Sequence, residues 1–118
     1  MQTEALLKIV QDVLDERKGH NITVLDVRGK TSVTDYMILA TGTSDRHINA
    51  MADYVSEKVK ESGQKPLGQE GGIGADWVLL DLGDVIVHLM TDQARAFYQL
   101  EKLWSVEQKA EALEALQD

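Results

Sequence analysis

Two carboxylates flank a Leu-Gly dipeptide in Trp77-Val-Leu-Leu-Asp-Leu-Gly-Asp-Val-Ile-Val-His-Leu-Met90, and a histidine follows the second of them. Carboxylates and imidazoles hold metal ions and move protons. Asp81 and Asp84 therefore raise the chemistry of nucleotidyl transfer, in which two metal-bound carboxylates clamp the migrating phosphate. Their spacing argues against it: ligands on one strand should recur at i and i+2 to share a face, whereas Leu82-Gly83 between them is a turn dipeptide. Asp81 and Asp84 are expected instead to bond to local backbone at a turn.

A second candidate is Ala40-Thr-Gly-Thr-Ser-Asp-Arg-His47, which leaves an apolar run through a glycine and enters a helical pattern. Backbone N–H groups at such a junction attract phosphate. The segment lacks the spacing and the lysine of a phosphate loop, and Asp45 stands where an anion would bind. A capped helix start accounts for Gly42, Thr43 and Ser44, leaving Arg46 and His47 as exposed first-turn side chains. His20, His47 and His88 fall in separate elements without ligand spacing, so no metal site is expected. The chain has no cysteine, which removes thiolate chemistry, sulfur-held metal and disulfides, and no serine lies in a nucleophile-elbow context. No catalytic, cofactor-binding or metal-binding residue is expected. The rival to a non-enzymatic function is a nucleotide-using transferase built on Gly42 to Asp45.

The elements that position these groups follow from periodicity. Leu6, Ile9, Val10, Val13 and Leu14 recur at three- and four-residue spacing and predict a helix over 4–18, with Thr3 as its cap and Gly19 past its end. Residues 22–27 alternate as a strand, 28–32 supply a turn, and 35–41 form a second, almost continuously apolar strand of the kind covered on both faces. Ser44 caps a helix whose buried stripe is Ile48, Met51, Ala52, Val55 and Val59, ending near Ser62 before Gly63. A glycine-rich crossing holds a short edge strand near 67–70, where Pro66 is tolerable. After the hairpin, Thr91 or Asp92 caps a helix carrying Ala94, Phe97, Leu100, Leu103 and Trp104. Ser105 and Gln108 have capping-box spacing and open an acidic, helical C-terminal tail with sparse apolar residues. The division is therefore one domain over 1–104 and a tail over 105–118. The order of elements predicts an α+β fold with a mixed β-sheet and packing helices.

Parity divides the hairpin into two faces. With Leu82-Gly83 as the loop, Asp81 faces Asp84, Leu79 faces Ile86 and Trp77 faces His88. Val78, Leu80, Val85, Val87 and Leu89 then share one aliphatic face. Trp77, Leu79, Asp81, Asp84, Ile86, His88 and Met90 share the other, an apolar centre with an acidic edge. A three-residue turn with Gly83 in a bulge is the alternative, and it changes the register. Two readings of the second face stay open: a partner-binding surface anchored by Trp77 and Met90 with carboxylates for a basic partner, or a face covered by the protein's own helices.

At 118 residues, 43% hydrophobic and 27% charged, the sequence suits one globular domain. No apolar run approaches the ~18 residues of a membrane-spanning helix. The first residues do not resemble a secretory signal, and a cytoplasmic location is expected. Twenty acidic against twelve basic residues give a net charge of −8, which repels phosphate backbones and favours a basic protein partner.

Asp35-Tyr36, Ala40 to His47, Glu70-Gly71, Trp77 to His88, Phe97-Tyr98 and Leu103-Trp104, in this order, resemble the ribosomal silencing factor family, also called the Iojap or RsfS family. The likeness covers approximately residues 4–104. It implies a nucleotidyltransferase-like fold without the catalytic carboxylates. It also implies binding to the large ribosomal subunit, chiefly through ribosomal protein number fourteen and with little direct rRNA contact, so that small-subunit joining is blocked and translation is repressed when nutrients are scarce. It points further to a homodimer and to a part in large-subunit maturation. The partner-binding residues expected are Trp77, Leu79, Asp81, Ile86, His88 and Met90 on the hairpin, with Tyr98 and Glu101 on the following helix.

Overall fold

The computed structural model describes residues 2–98, except for the side chain of Tyr98. Glu101, Leu103, Trp104 and the expected boundary at 104 lie outside the described residues. The elements run α1 (Thr3–Glu16), β1 (His20–Asp26), β2 (Tyr36–Gly42), α2 (Asp45–Glu61), β3 (Gly68–Glu70), β4 (Trp77–Asp81), β5 (Val85–Thr91) and α3 (Asp92–Tyr98). Five strands form one sheet in the order β1-β2-β5-β4-β3. β2 and β5 pair in parallel and the other three pairings are antiparallel, so the sheet is mixed.

One face of this sheet is an aliphatic layer under two amphipathic helices. Leu6, Val10, Val13 and Leu14 of α1 and Ile48, Met51, Ala52, Val55 and Val59 of α2 are the buried stripes, and they meet Ile38, Ala40, Val78, Leu80, Leu82, Val85, Val87 and Leu89. Removal of these aliphatic surfaces from water, at roughly 25 cal/mol per Å², is the main force fixing both helices. The ends of the helices differ. Ser44 caps α2 by accepting the His47 N–H at 3.1 Å, as its position predicts. Thr3 does not cap α1: it is the first helical residue, and its hydroxyl donates to Asp84 across the fold at 3.2 Å. Lys18, at φ 66°, takes the left-handed step that ends α1, and Gly19 closes the turn with its N–H on Leu14 O at 2.7 Å.

The other face holds a smaller core of Val27, Met37, Leu39, Leu79, Ile86, Met90 and Ala94, with Leu25, Val33 and Trp77 packed against it half-buried. Ala94 belongs to α3, which starts where Thr91 Oγ1 accepts the Ala94 N–H. Arg95 clasps α3 to the irregular start of β1, donating to Asn21 O, to Thr41 Oγ1 at 3.0 Å and to Thr23 Oγ1 at 2.9 Å. His20 and Asp92 join at 2.9 Å beside it.

The hairpin register departs from the expected one. Trp77 pairs with Met90, Leu79 with His88 and Asp81 with Ile86, so neither the Asp81–Asp84 nor the Trp77–His88 pairing forms. Leu82, only 1% exposed, joins the aliphatic core and its N–H bonds Val85 O at 2.9 Å. The loop is therefore Gly83-Asp84, with Gly83 at φ 89°, the positive value that a two-residue hairpin loop demands at that position. Burial of a leucine side chain outweighs its use as a turn residue. The pairing moved by two residues, so the strand residues kept the faces that parity assigned them, whereas Asp84, expected on the second face, stands in the loop and binds Thr3 of α1.

Candidate functional site

Asp81 organises its own turn: Oδ1 accepts the Gly83 N–H at 2.9 Å. Asp84 binds Thr3 through its carboxylate and accepts the N–H groups of Asp35 and Tyr36 through its backbone carbonyl. Both duties are structural, but only Asp81 bonds local backbone as its place beside the turn predicts; the Asp84 carboxylate reaches the distant Thr3 instead. Among the described residues no group of three or more His, Asp or Glu side chains could hold a metal ion.

The junction at Gly42 is also committed internally. His47 is half-buried rather than exposed. Its Nδ1 accepts the Thr43 N–H at 2.9 Å, so the neutral ring carries its proton on Nε2 and donates it to Arg17 O at 2.7 Å. Asp45 Oδ2 accepts the Gly74 N–H at 3.1 Å, and Ser44 accepts from His47. Two donors that a phosphate there would need, the N–H groups of Thr43 and His47, are used by the chain's own side chains. Gly42 has no room for a Cβ, which would stand 2.7 Å from Ile48 Cγ2. The glycine is there for close strand–helix packing.

The second sheet face gathers the chemistry that the hairpin promised. Thr23, Leu39, His88, Leu79 and Glu70 form one row across all five strands, and Thr41, Met90 and Trp77 form the next. Trp77 and His88 are diagonal neighbours in this lattice. The indole Nε1–H donates to His88 Nδ1 at 2.9 Å, and the rings lie 5.6 Å apart at a 51° tilt. Indole nitrogen is only a donor, so Nδ1 is unprotonated and the neutral tautomer carries hydrogen on Nε2. That nitrogen has no hydrogen-bond partner among the described residues. Burial pushes the His88 pKa down to about 4, because charging the ring would require solvation that the core withholds.

Leu79, Ile86, His88 and Met90 are all buried, Leu79 most exposed of them at 3%. They shape this face from beneath. Trp77 and Asp81 are half-buried and reach the surface. Where β3 runs beside the start of β4, a cleft of about 220 Å³ opens between Glu70, Gly71, Trp77 and Leu79. Glu70 and Gly71 were not among the expected partner-binding residues. The cue available was their position, a short strand ending in a carboxylate just before two glycines.

Comparisons with known proteins converge. The family model described as "Ribosomal silencing factor during starvation" matches residues 1–118. The Ribosomal silencing factor RsfS of Haemophilus influenzae is 50% identical over 101 residues, covering 86% of this chain and 99% of that protein. The Mus musculus protein "Mitochondrial assembly of ribosomal large subunit protein 1" is 31% identical over 103 residues, covering 85% of this chain and 45% of that protein. A crystal structure of a Chromobacterium violaceum protein, 40% identical, superposes with a TM-score of 0.84 over 88% of this chain and 87% of that one.

Proposed function

The chain belongs to the ribosomal silencing factor family, whose members are silencing factors rather than enzymes, and from that premise we propose that it binds the large ribosomal subunit and blocks small-subunit joining by occupying space. The margin of the second sheet face, where Trp77 and Asp81 reach the surface, is the docking surface in this reading. Trp77 and Asp81 touch the partner, Leu79, Ile86, His88 and Met90 hold the surface in shape, and the family resemblance adds Tyr98 and Glu101 as contacts. The observation that carries the reading is the hydrogen bond that fixes the half-buried Trp77 indole against buried His88, since a rigid aromatic at a surface is a common anchor of protein interfaces.

Ribosomal protein number fourteen is the partner the family resemblance favours, and the net charge of −8 supports a basic protein over rRNA. The relative named for assembly of the large subunit supports a part in maturation of that subunit. A homodimer, a cytoplasmic location and repression under nutrient limitation belong to the same reading. So does a nucleotidyltransferase-like fold without the catalytic carboxylates. No helix among the described residues is long and apolar enough to cross a membrane.

The test is subunit joining followed by light scattering in nucleotide-free buffer. Added in stoichiometric amount to large subunits, the protein should lower the joined fraction, and Trp77→Ala should need more protein for the same effect, by about 1 kcal/mol or more in binding. Inhibition by trace amounts that depends on added nucleotide would replace the steric reading with turnover.

A further inference from the structure

Ile73 stands almost wholly in solvent, 99% exposed, on the crossing between β3 and β4. A lone exposed aliphatic is ordinary on a protein surface. What sets this one apart is the framework that holds it out. Gly72 O accepts the Ala75 N–H at 2.9 Å, so residues 72–75 close a β-turn with Ile73 in its second position. Gly74 follows at φ 89°, the positive value that a type II turn requires in its third position. A Cβ added at Gly72 or Gly74 would meet nothing within 4 Å, so open space lies on both sides of the isoleucine.

The turn is tied down on two sides. Asn49 Nδ2 of α2 donates to Gly72 O at 3.0 Å and to Asp45 O at 2.8 Å, and Asp45 Oδ2 accepts the Gly74 N–H at 3.1 Å. On the sheet side, Gly71 at φ 90° lies so close to β4 that a Cβ on it would stand 2.6 Å from Trp77 O, and Thr91 N bonds Asp76 O at 3.0 Å. The loop is thus in place before anything binds, which lowers the ordering cost of burying its tip. Only four residues separate Ile73 from Trp77, at most about 14 Å of extended chain. One partner covering about 800 Å² can therefore take in both.

Charge selects the kind of partner. From Pro66 to Ala94 the chain holds Glu70, Asp76, Asp81, Asp84 and Asp92 and neither lysine nor arginine. Glu70 and Asp76, at the two ends of the loop, are exposed. An apolar tip between carboxylates is disfavoured against a phosphate backbone or a second copy of the same acidic surface, and it suits a basic protein. We propose that Ile73 is a knob that enters an apolar recess on the basic protein partner, extending the docking margin from Trp77 along the crossing between β3 and β4. Its burial there removes apolar surface from water that folding leaves exposed. The knob deepens the docking reading and rests on it for the identity of the partner.

Two measurements test the knob apart from that reading. In the first, binding to purified large subunits is compared among the parent chain, Ile73→Asn and Ile73→Leu. The side chain is exposed, so both variants should keep the parent's melting temperature. Ile73→Asn should bind about fivefold or more weakly, and Ile73→Leu within about twofold of the parent. Parent affinity in Ile73→Asn overturns the knob and leaves the docking reading standing. Failure of the parent chain itself to bind large subunits is the failure of the docking reading, and the knob falls with it. The second measurement identifies the occupant. The chain has no cysteine, so Ile73→Cys carries a single benzophenone-maleimide label, which is irradiated on the large subunit. The crosslink should fall on a ribosomal protein, identified by mass spectrometry. Crosslinks to rRNA or to a second copy of the chain, or none from bound protein, overturn the proposal.

Discussion

The two faces of the sheet are made from the same five strands, yet they solve different problems. The face under α1 and α2 is aliphatic at its centre: Ile38, Ala40, Val78, Leu80, Val87 and Leu89 meet two full helical stripes. The other has Met37, Leu39 and Met90 at its centre, buried His88 and Thr41 among them, and half-buried Trp77 and Asp81 toward one side. An aliphatic layer needs only shape and volume to hold. A buried imidazole with one nitrogen unpartnered among the described residues adds little to stability, since a buried donor without a partner costs about 1–3 kcal/mol. What it does is fix the angle of an indole that reaches the surface. The first face is built for stability, and the second gives up some of it to hold an indole at the surface.

Truncation breaks that comparison most directly. Leu89→Ala on the first face and Met90→Ala on the second both remove completely buried side chains. Each should cost about 2–5 kcal/mol of unfolding free energy in urea titrations. Met90 is then not an exposed interface anchor, and any loss of subunit binding in Met90→Ala should come with a clear drop in melting temperature. A Met90→Ala protein of unchanged stability would mean that this face is open, contrary to the burial observed.

Acid should also divide the faces. His88 takes up its proton in the unfolded chain near the ordinary 6.5 but only near about 4 when folded. Between those values the unfolded state binds more protons, so stability falls as pH drops through this window and this group adds no further loss below it. At about 1.4 kcal/mol per pH unit the loss is on the order of 3 kcal/mol. His88→Gln should remove that part of the slope while the carboxylate titrations remain. Identical slopes between pH 7 and 4 in the two proteins would show that the ring is solvated in the folded state.

Side-chain period and cap chemistry are local, and the features that depend on them were readable. Ser44 caps α2, Thr91 caps α3, and the two hairpin faces follow from alternation, which a register error of two residues leaves intact. The true register was harder. It turns on whether Leu82 serves the loop or the core, and only the presence of α1 and α2 above the sheet decides this. Long-range clasps were invisible for a related reason. His47 meets Arg17 across thirty positions, and Arg95 reaches Asn21 and Thr23, contacts set by how helices lie on the sheet and not by any pattern along the chain. The cleft beside Trp77 needed the pairing of β3 with β4, a three-residue strand too short to leave a clear period. A covered second face likewise could not be told from an open one, because alternation says which residues share a face and not what packs over it.

Asp81 offers the finest test, because two of its possible contributions separate cleanly. It stands at the half-buried margin of the second face opposite Ile86 and accepts the Gly83 N–H at 2.9 Å. Asp81→Asn keeps a carbonyl oxygen for that bond and removes the charge. Asp81→Ala removes both. Loss of the turn bond should cost about 1 kcal/mol of stability, so the alanine variant should unfold at lower urea while the asparagine variant stays within about 0.5 kcal/mol of the parent. If the carboxylate also faces a basic partner, both variants should bind large subunits a few-fold more weakly at low salt, and the difference from the parent should shrink as salt screens the attraction. Asp81→Lys should weaken binding further still, since it turns attraction into repulsion. Wild-type affinity in the asparagine and lysine variants would confine Asp81 to its turn and leave Trp77, with Tyr98 and Glu101, as the proposed contacts on which docking depends.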